Sequence, residues 1–175
     1  MQERELLITY KEFLKKYNKV LNLTSKNVNL DKLINQSIYI EKFIRKHSKI
    51  LDVGSGGGIV GIPLKIIRND LVVYLIERSQ RKSTFLEIVI KKLNLSEIFV
   101  INEDYKNLKI NEKFDVIIAR AIGNYEVFVK TLKKFLKEDG KFIIFSDFEC
   151  DEFKTIKEKI GNLTISILSR RLSPP

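Results

Sequence analysis

The chain has little cysteine, histidine, proline or glycine, and it has no tryptophan. Cys150 is the only cysteine and His47 the only histidine among 175 residues. This excludes an internal disulfide framework and a zinc site built from several cysteines and histidines, and it leaves a serine–histidine–aspartate triad with a single possible base. Three prolines and eight glycines are too few for a collagen-like chain or for one dominated by linkers.

Long apolar runs are also missing. No stretch approaches the roughly 18 uninterrupted apolar residues that a membrane-spanning helix requires. The first five residues, Met-Gln-Glu-Arg-Glu, are charged where a signal peptide would be apolar. We therefore expect a cytoplasmic protein that binds neither a membrane nor a metal ion.

What the chain does have is positive charge and enough apolar residues for one core. Its 32 basic and 22 acidic residues give a net charge of +10, and 44% of its residues are apolar. Residues 1–46 carry ten of the basic and five of the acidic side chains. A basic surplus of this size suggests a polyanionic partner such as a nucleic acid.

Two helices are predicted before residue 47. Apolar residues recur at three- and four-residue steps along the first, a run of polar residues at 22–27 predicts a turn, and a second helix follows from Leu30. No linker follows the second helix. We interpret residues 1–46 as a helical cap that packs on a main domain of residues 47–175.

From residue 49 onward, short apolar runs alternate with helical patterns. The runs predict six strands, at 50–53, 72–76, 98–101, 116–119, 142–145 and 163–168. The segments between them predict helices that include 82–93, 125–136 and 151–160. This alternation is typical of an α/β fold with a parallel sheet covered on both faces.

Five of the eight glycines lie between residues 54 and 61, directly after the first predicted strand. A parallel sheet binds its ligand at this place. Residues 56–61 match the dinucleotide pattern G-x-G-x-x-G, a weak signal by itself, but Gly54 is the glycine that closes the strand. The acidic Asp52 followed by Gly54 and Gly56 suits instead a cofactor that carries a sulfonium and an amino acid group. A glycine-rich turn without a ligand is a third possibility.

An acidic residue also ends the second predicted strand. Glu77 follows the run 72–76, and a carboxylate at this position can accept hydrogen bonds from both hydroxyls of a ribose. Glu77 therefore supports a nucleoside ligand of either class.

With these pieces placed, the chain resembles the bacterial ribosomal RNA small-subunit methyltransferase G family, also called GidB. Three stretches carry the resemblance: residues 17–24, with the sequence Asn-Leu-Thr at their end, residues 51–63, which end in Gly-Ile-Pro, and residues 114–121. The resemblance implies a Rossmann-like class I methyltransferase with an N-terminal helical cap. It also implies methyl transfer from S-adenosylmethionine to N7 of a guanine in 16S ribosomal RNA, either in the naked RNA or in the small subunit.

The resemblance further implies which residues form the site. Those that would contact the cofactor are Asp52, Gly54, Ser55, Gly56, Ile59, Glu77, Tyr105, Lys106 and Arg120. Arg120 would face both the cofactor and the RNA, and it is the one residue expected to act in catalysis, by positioning. No metal ligand is expected.

The chain also departs from the family pattern. Asp104, Gln36 and Ser146 stand where the family has other residues. A degenerate member that binds RNA or a protein partner without catalysis is therefore an alternative, and a nicotinamide-dependent oxidoreductase is another.

The C-terminal segment predicts a further departure. Because the chain stops soon after the run 163–168, the last antiparallel strand of the sheet is expected to be missing. The protein is expected to act as a monomer, although a vacant sheet edge would lower its stability or favour self-association.

Overall fold

A seven-stranded sheet organises the chain. The computed structural model describes residues 2–25 and 28–170; residues 26 and 27 of the predicted turn and the tail 171–175 lie outside the described part. The strands are β1 Lys49–Val53, β2 Val72–Ile76, β3 Ile98–Ile101, β4 Phe114–Ala119, β5 Leu136–Ile144, β6 Phe153–Ile160 and β7 Leu163–Arg170. Their spatial order is β3-β2-β1-β4-β5-β7-β6. The first five strands pair in parallel, and β7 pairs antiparallel with both β5 and β6.

Five α-helices accompany the sheet in the described residues. They are α1 Gln2–Leu21, α2 Leu30–Tyr39, α3 Gly61–Ile67, α4 Gln80–Lys92 and α5 Tyr125–Leu132. The Asn29 and Asn124 side chains accept backbone N–H groups at the starts of α2 and α5, which satisfies donors that a helix leaves free. None of the described helices is both long enough and apolar enough to cross a membrane.

The two faces of the sheet bury separate cores. On one face, Tyr10 and Leu14 of α1 and Ile34 of α2 pack in the same cluster as sheet residues such as Val73 and Ile118. On the other face, α5 packs against β4 and β5. The cap thus shares its apolar core with the sheet, while the division of the chain at residue 46 stays a prediction.

The C-terminal part of the fold differs from the prediction. The segment 151–160, predicted as a helix, contains β6, and the segment 163–168 lies within β7. The two strands form a hairpin, and β7 lies between β5 and β6, where Phe142 is opposite Leu168. The prediction of a missing antiparallel strand is therefore wrong, and the vacant edge on which self-association was expected is filled.

Candidate active site

A cleft of about 650 Å³ opens at the carboxyl ends of the parallel strands. Four of the predicted site residues line it: Gly54, Glu77, Tyr105 and Lys106. The cleft therefore lies where an open α/β sheet binds its ligand. This place is next to β1, the strand at which the order of the strands reverses its direction.

The turn after β1 depends on glycine because of both its backbone angles and its surroundings. Gly54 has φ +69°, a conformation that residues with a Cβ rarely adopt. A Cβ on Gly54 would lie 2.9 Å from Cδ1 of Ile122. The N–H groups of Gly54 and Ser55 both donate to the carbonyl of Ile76, at 2.9 Å. The loop is thereby fastened to the end of β2.

Glu77 joins the glycine loop to the start of α4. Its Oε2 accepts the N–H of Gly56 at 2.9 Å, and its Oε1 accepts the N–H of Ser79 at 2.8 Å. The carboxylate is buried at the edge of the cleft. Each oxygen retains a lone pair, so the group can also accept hydroxyl donors from a ligand in the cleft.

Asp52 has a different place from the predicted one. It is buried and does not line the cleft; its Oδ2 accepts the N–H of Gly61, in the first turn of α3, at 3.0 Å. Burial raises the pKa of the Asp52 carboxyl to about 7, against the lowering effect of this hydrogen bond. The start of α3 is thus already occupied by an acidic side chain of the protein.

Arg120 is held by the cap. Its guanidinium donates to Gln36 Oε1 at 2.7 Å, to Ser37 Oγ at 3.2 Å and to the carbonyl of Leu33 at 3.3 Å, all on α2. It also lies over the ring of Phe145, at 4.9 Å from the centroid. Arg120 therefore connects the end of β4 to α2, and it does not line the cleft.

The remaining predicted residues, Ser55, Gly56 and Ile59, belong to the glycine loop and do not line the cleft. Ser55 Oγ donates to the carbonyl of Asp52 at 2.9 Å, and Ile59 is buried in the core beneath the cap. Gly56 is in contact with Glu77 through its N–H.

Part of the cleft lining and one contact of the glycine loop were not predicted from the sequence. The additional lining residues include Glu103, the segment 121–124 and Val127. The segment 121–124 follows β4, so the rule that ligands bind beyond the carboxyl ends of neighbouring strands could have found it. The missed contact is made by Tyr10 of α1, whose buried hydroxyl donates to the carbonyl of Gly57 at 2.8 Å.

Comparison with known proteins identifies the family. The family model described as rRNA small subunit methyltransferase G matches residues 3–169. The chain belongs to this family. A ribosomal RNA small subunit methyltransferase G from Clostridium novyi is 31% identical over 94% of this chain and 70% of the relative. One from Oenococcus oeni is 35% identical over 79% of this chain and 62% of the relative. The chain thus spans about two thirds of the length of these relatives.

Solved structures give the same fold. TYW2 from M. jannaschii, in complex with AdoMet, superposes with a TM-score of 0.62 at 17% identity, over 85% of this chain and 78% of that one. TrmN from Thermus thermophilus gives a TM-score of 0.61 at 14% identity, over 81% of this chain and 48% of that one. The predicted Rossmann-like methyltransferase fold is confirmed. The methyltransferase G family consists of S-adenosylmethionine-dependent enzymes of small-subunit ribosomal RNA, so the predicted reaction class and cofactor are confirmed at the level of the family.

Proposed function

We propose that this chain transfers a methyl group from S-adenosylmethionine to N7 of a guanine in 16S ribosomal RNA, and that it acts as a cytoplasmic monomer. The observation that carries the proposal is the glycine loop at the end of β1, bound through Gly56 to the buried carboxylate of Glu77 at the edge of the cleft. In a member of the methyltransferase G family, this pair is suited to a nucleoside cofactor.

The residues of the cleft fit S-adenosylmethionine in their chemistry. Gly54 brings a backbone without a side chain to the wall of the cleft, and Glu77 offers acceptors for the ribose hydroxyls. Tyr105 offers an aromatic ring and Lys106 a cation farther along the wall. When bound, the cofactor supplies an electrophilic methyl group on a sulfonium. We assign Asp52, Ser55 and Ile59 to the support of the loop, because their contacts are with the protein.

The contact between Asp52 and the start of α3 does not favour a dinucleotide cofactor. A dinucleotide places its pyrophosphate on the N-terminus of the helix after β1. Here the N–H of Gly61 is taken by the carboxylate of Asp52, and a second anion at the same place would be repelled by Asp52 in its charged form. This contact supports S-adenosylmethionine over a nicotinamide cofactor.

The proposed target requires no general base. Guanine N7 carries a lone pair in the ring plane and no proton, so its attack on a methyl group requires no proton to leave the guanine. The rate would then depend on alignment of the nitrogen with the methyl and sulfur in a site shielded from water. We assign Arg120 a positioning role, because it fixes α2 against the end of β4.

Two measurements test this function. Calorimetric titration with S-adenosylmethionine and with NAD should give binding of the first alone; binding of NAD alone would support the oxidoreductase. Labelled methyl transfer to small ribosomal subunits and to naked 16S RNA, followed by nuclease digestion, should yield 7-methylguanosine. Binding of the cofactor without transfer to either substrate would support a degenerate member instead.

The pH dependence of the chemical step tests the absence of a base. We expect the maximal single-turnover rate to stay nearly flat between about pH 7.5 and 9, above the pKa of Asp52 and below the range in which lysines titrate. A tenfold rise per pH unit across this range would require a titrating base and would contradict the mechanism.

A further inference from the structure

A second groove, of about 690 Å³, lies between α1 and the flanking residues 22–25 and 28–31. Three lysines of α1, Lys11, Lys15 and Lys19, line it. They recur every four residues, so they follow one side of the helix at intervals of about 6 Å along its axis. The groove therefore presents a row of cations along one wall.

The protein offsets only part of the positive charge in this groove. Among the described residues that line it, Asp31 is the one acidic residue, and it pairs with Lys11 at 2.6 Å. Lys15 and Lys19 are exposed, and neither has a carboxylate within 4 Å among residues 2–25 and 28–170. Two positive charges are thus left for an external anion.

Amide groups add hydrogen-bond donors to the same groove. Asn18 Oδ1 accepts the N–H of Thr24 at 2.8 Å, and Asn29 Oδ1 accepts the N–H of Lys32 at 2.9 Å. Because both oxygens face backbone donors, each residue keeps its amide NH₂ group. In the described part of the chain neither NH₂ group has a protein acceptor. Such donors can bind phosphate oxygens alongside lysines.

The groove adjoins the glycine loop. Leu14 lines the groove, and both Leu14 and Leu23 pack against Gly57, where an added Cβ would lie 2.9 and 3.1 Å from their side chains. The other end of the loop, at Gly54, lines the cofactor cleft. The loop thus lies between the cationic groove and the cleft.

From these observations we infer that the groove binds the phosphate backbone of the RNA strand that carries the target guanine. The inference rests on the proposed function, because it assigns the RNA of that reaction to a surface outside the cleft. Lys15 and Lys19 neutralise phosphates, and the amides of Asn18 and Asn29 fix the position of the strand. A strand held there passes beside the glycine loop, from which a base can turn into the cleft.

The test compares two double variants. Lys15→Ala with Lys19→Ala removes the two free cations of the groove. Lys109→Ala with Lys130→Ala, its matched control, removes two exposed lysines from the side of the sheet that α5 covers. Filter binding of a naked 16S RNA transcript, measured over a series of salt concentrations, gives an affinity and a salt slope for each protein. We expect the groove variant to bind about tenfold more weakly, with a salt slope smaller by about 1–2. The control should resemble the wild type.

Calorimetry with S-adenosylmethionine shows whether the groove variant keeps its cofactor site, and we expect its affinity to be unchanged. Equal RNA affinity and salt slope in both double variants would overturn the inference, as would the absence of RNA binding by the wild-type protein. If the wild-type protein binds the transcript but transfers no methyl group to RNA or subunits, the proposed reaction is wrong, while the binding comparison still decides the role of the groove.

Discussion

At the scale of single residues, Glu77 both supports the glycine loop and faces the cleft, and a substitution affects both roles. Its carboxylate accepts two backbone N–H groups and faces the cleft. We expect Glu77→Ala to weaken S-adenosylmethionine binding by about 1–3 kcal/mol, the scale of a lost hydrogen bond to a charged group. Isothermal calorimetry measures the change, with Glu87→Ala on the exposed side of α4 as the control. An unchanged affinity would remove Glu77 from the site.

Gly56 in the loop and Gly61 at the start of α3 should respond to substitution in different ways. A Cβ on Gly56 would meet no atom closer than 3.9 Å, whereas one on Gly61 would lie 2.3 Å from Leu75. Gly56→Asp should therefore keep the fold at a cost of about 1 kcal/mol for its positive φ, but it should abolish cofactor binding because it places a second carboxylate beside Glu77. Gly61→Ala should destabilise the fold itself. Urea unfolding together with calorimetry distinguishes the two, and cofactor binding by Gly56→Asp would contradict this account.

At the scale of elements, α1 contacts the cofactor loop at Gly57, through a hydrogen bond from Tyr10 and through the packing of Leu14. Removing the hydroxyl of Tyr10 leaves the carbonyl of Gly57 without its buried donor, which costs about 1–3 kcal/mol. We expect Tyr10→Phe to lower the free energy of unfolding by this amount and to weaken cofactor binding, because the loop loses its hydrogen bond to the cap. Both quantities can be measured by urea titration, with and without S-adenosylmethionine.

Tyr17→Phe on the same helix is the matched control. Among the described residues the Tyr17 hydroxyl has no hydrogen-bond partner, and its ring stays packed against Phe85. If both variants lost the same stability and affinity, the contact between Tyr10 and Gly57 would not be the cause.

The strands show where sequence patterns suffice and where they fail. Strands β1, β2 and β4 are short, mostly buried apolar runs, whereas β3 lies at the edge of the sheet and is only partly buried. The positions of all four were predicted closely. The sequence of β6 has Phe153, Ile156 and Ile160 at helical spacing, yet the segment is extended because it pairs along its whole length with β7. The missed signal was Gly161-Asn162, a two-residue turn between two strands. Pairing with a partner strand is a long-range contact that local periodicity does not contain.

The residues of the site also show that local sequence patterns do not contain long-range contacts. The glycines and Glu77 could be predicted because they follow strands, and strand ends position them. The partners of Arg120 could not, since Gln36 and Ser37 lie more than 80 positions earlier in the chain. The buried place of Asp52 was missed for a similar reason: its acceptor role toward α3 depends on how closely Gly61 approaches the sheet.

At the scale of the whole molecule, Asp52 makes stability depend on pH. Its pKa is about 7 in the folded protein because of burial, against about 3.9 in an unfolded chain. The folded state therefore binds more protons between these values, and stability falls as pH rises from about 4 to 7. We expect this group to contribute a loss of up to about 3 kcal/mol between pH 5 and 8, and Asp52→Asn to lack that loss while still accepting the N–H of Gly61.

Urea unfolding at pH 5 and pH 8 measures this difference. Asp70→Asn is the control, because its pKa is lowered by the adjacent Arg68 and it stays ionised throughout the range. If the wild type and Asp52→Asn changed equally between the two pH values, the buried carboxyl would not be the cause.

The position of β7 has a consequence for the order in which the molecule can assemble. Strand β7 comes last among the strands in the described part of the chain but lies inside the sheet, between β5 and β6. During synthesis, the N-terminal parts of a chain emerge first, so β5 has an open edge until residues 163–170 leave the ribosome. That edge contains Phe142, Ile143 and Ile144, which are buried in the finished fold. The interval between the emergence of β5 and that of β7 is therefore when the growing chain is most exposed to pairing with other chains.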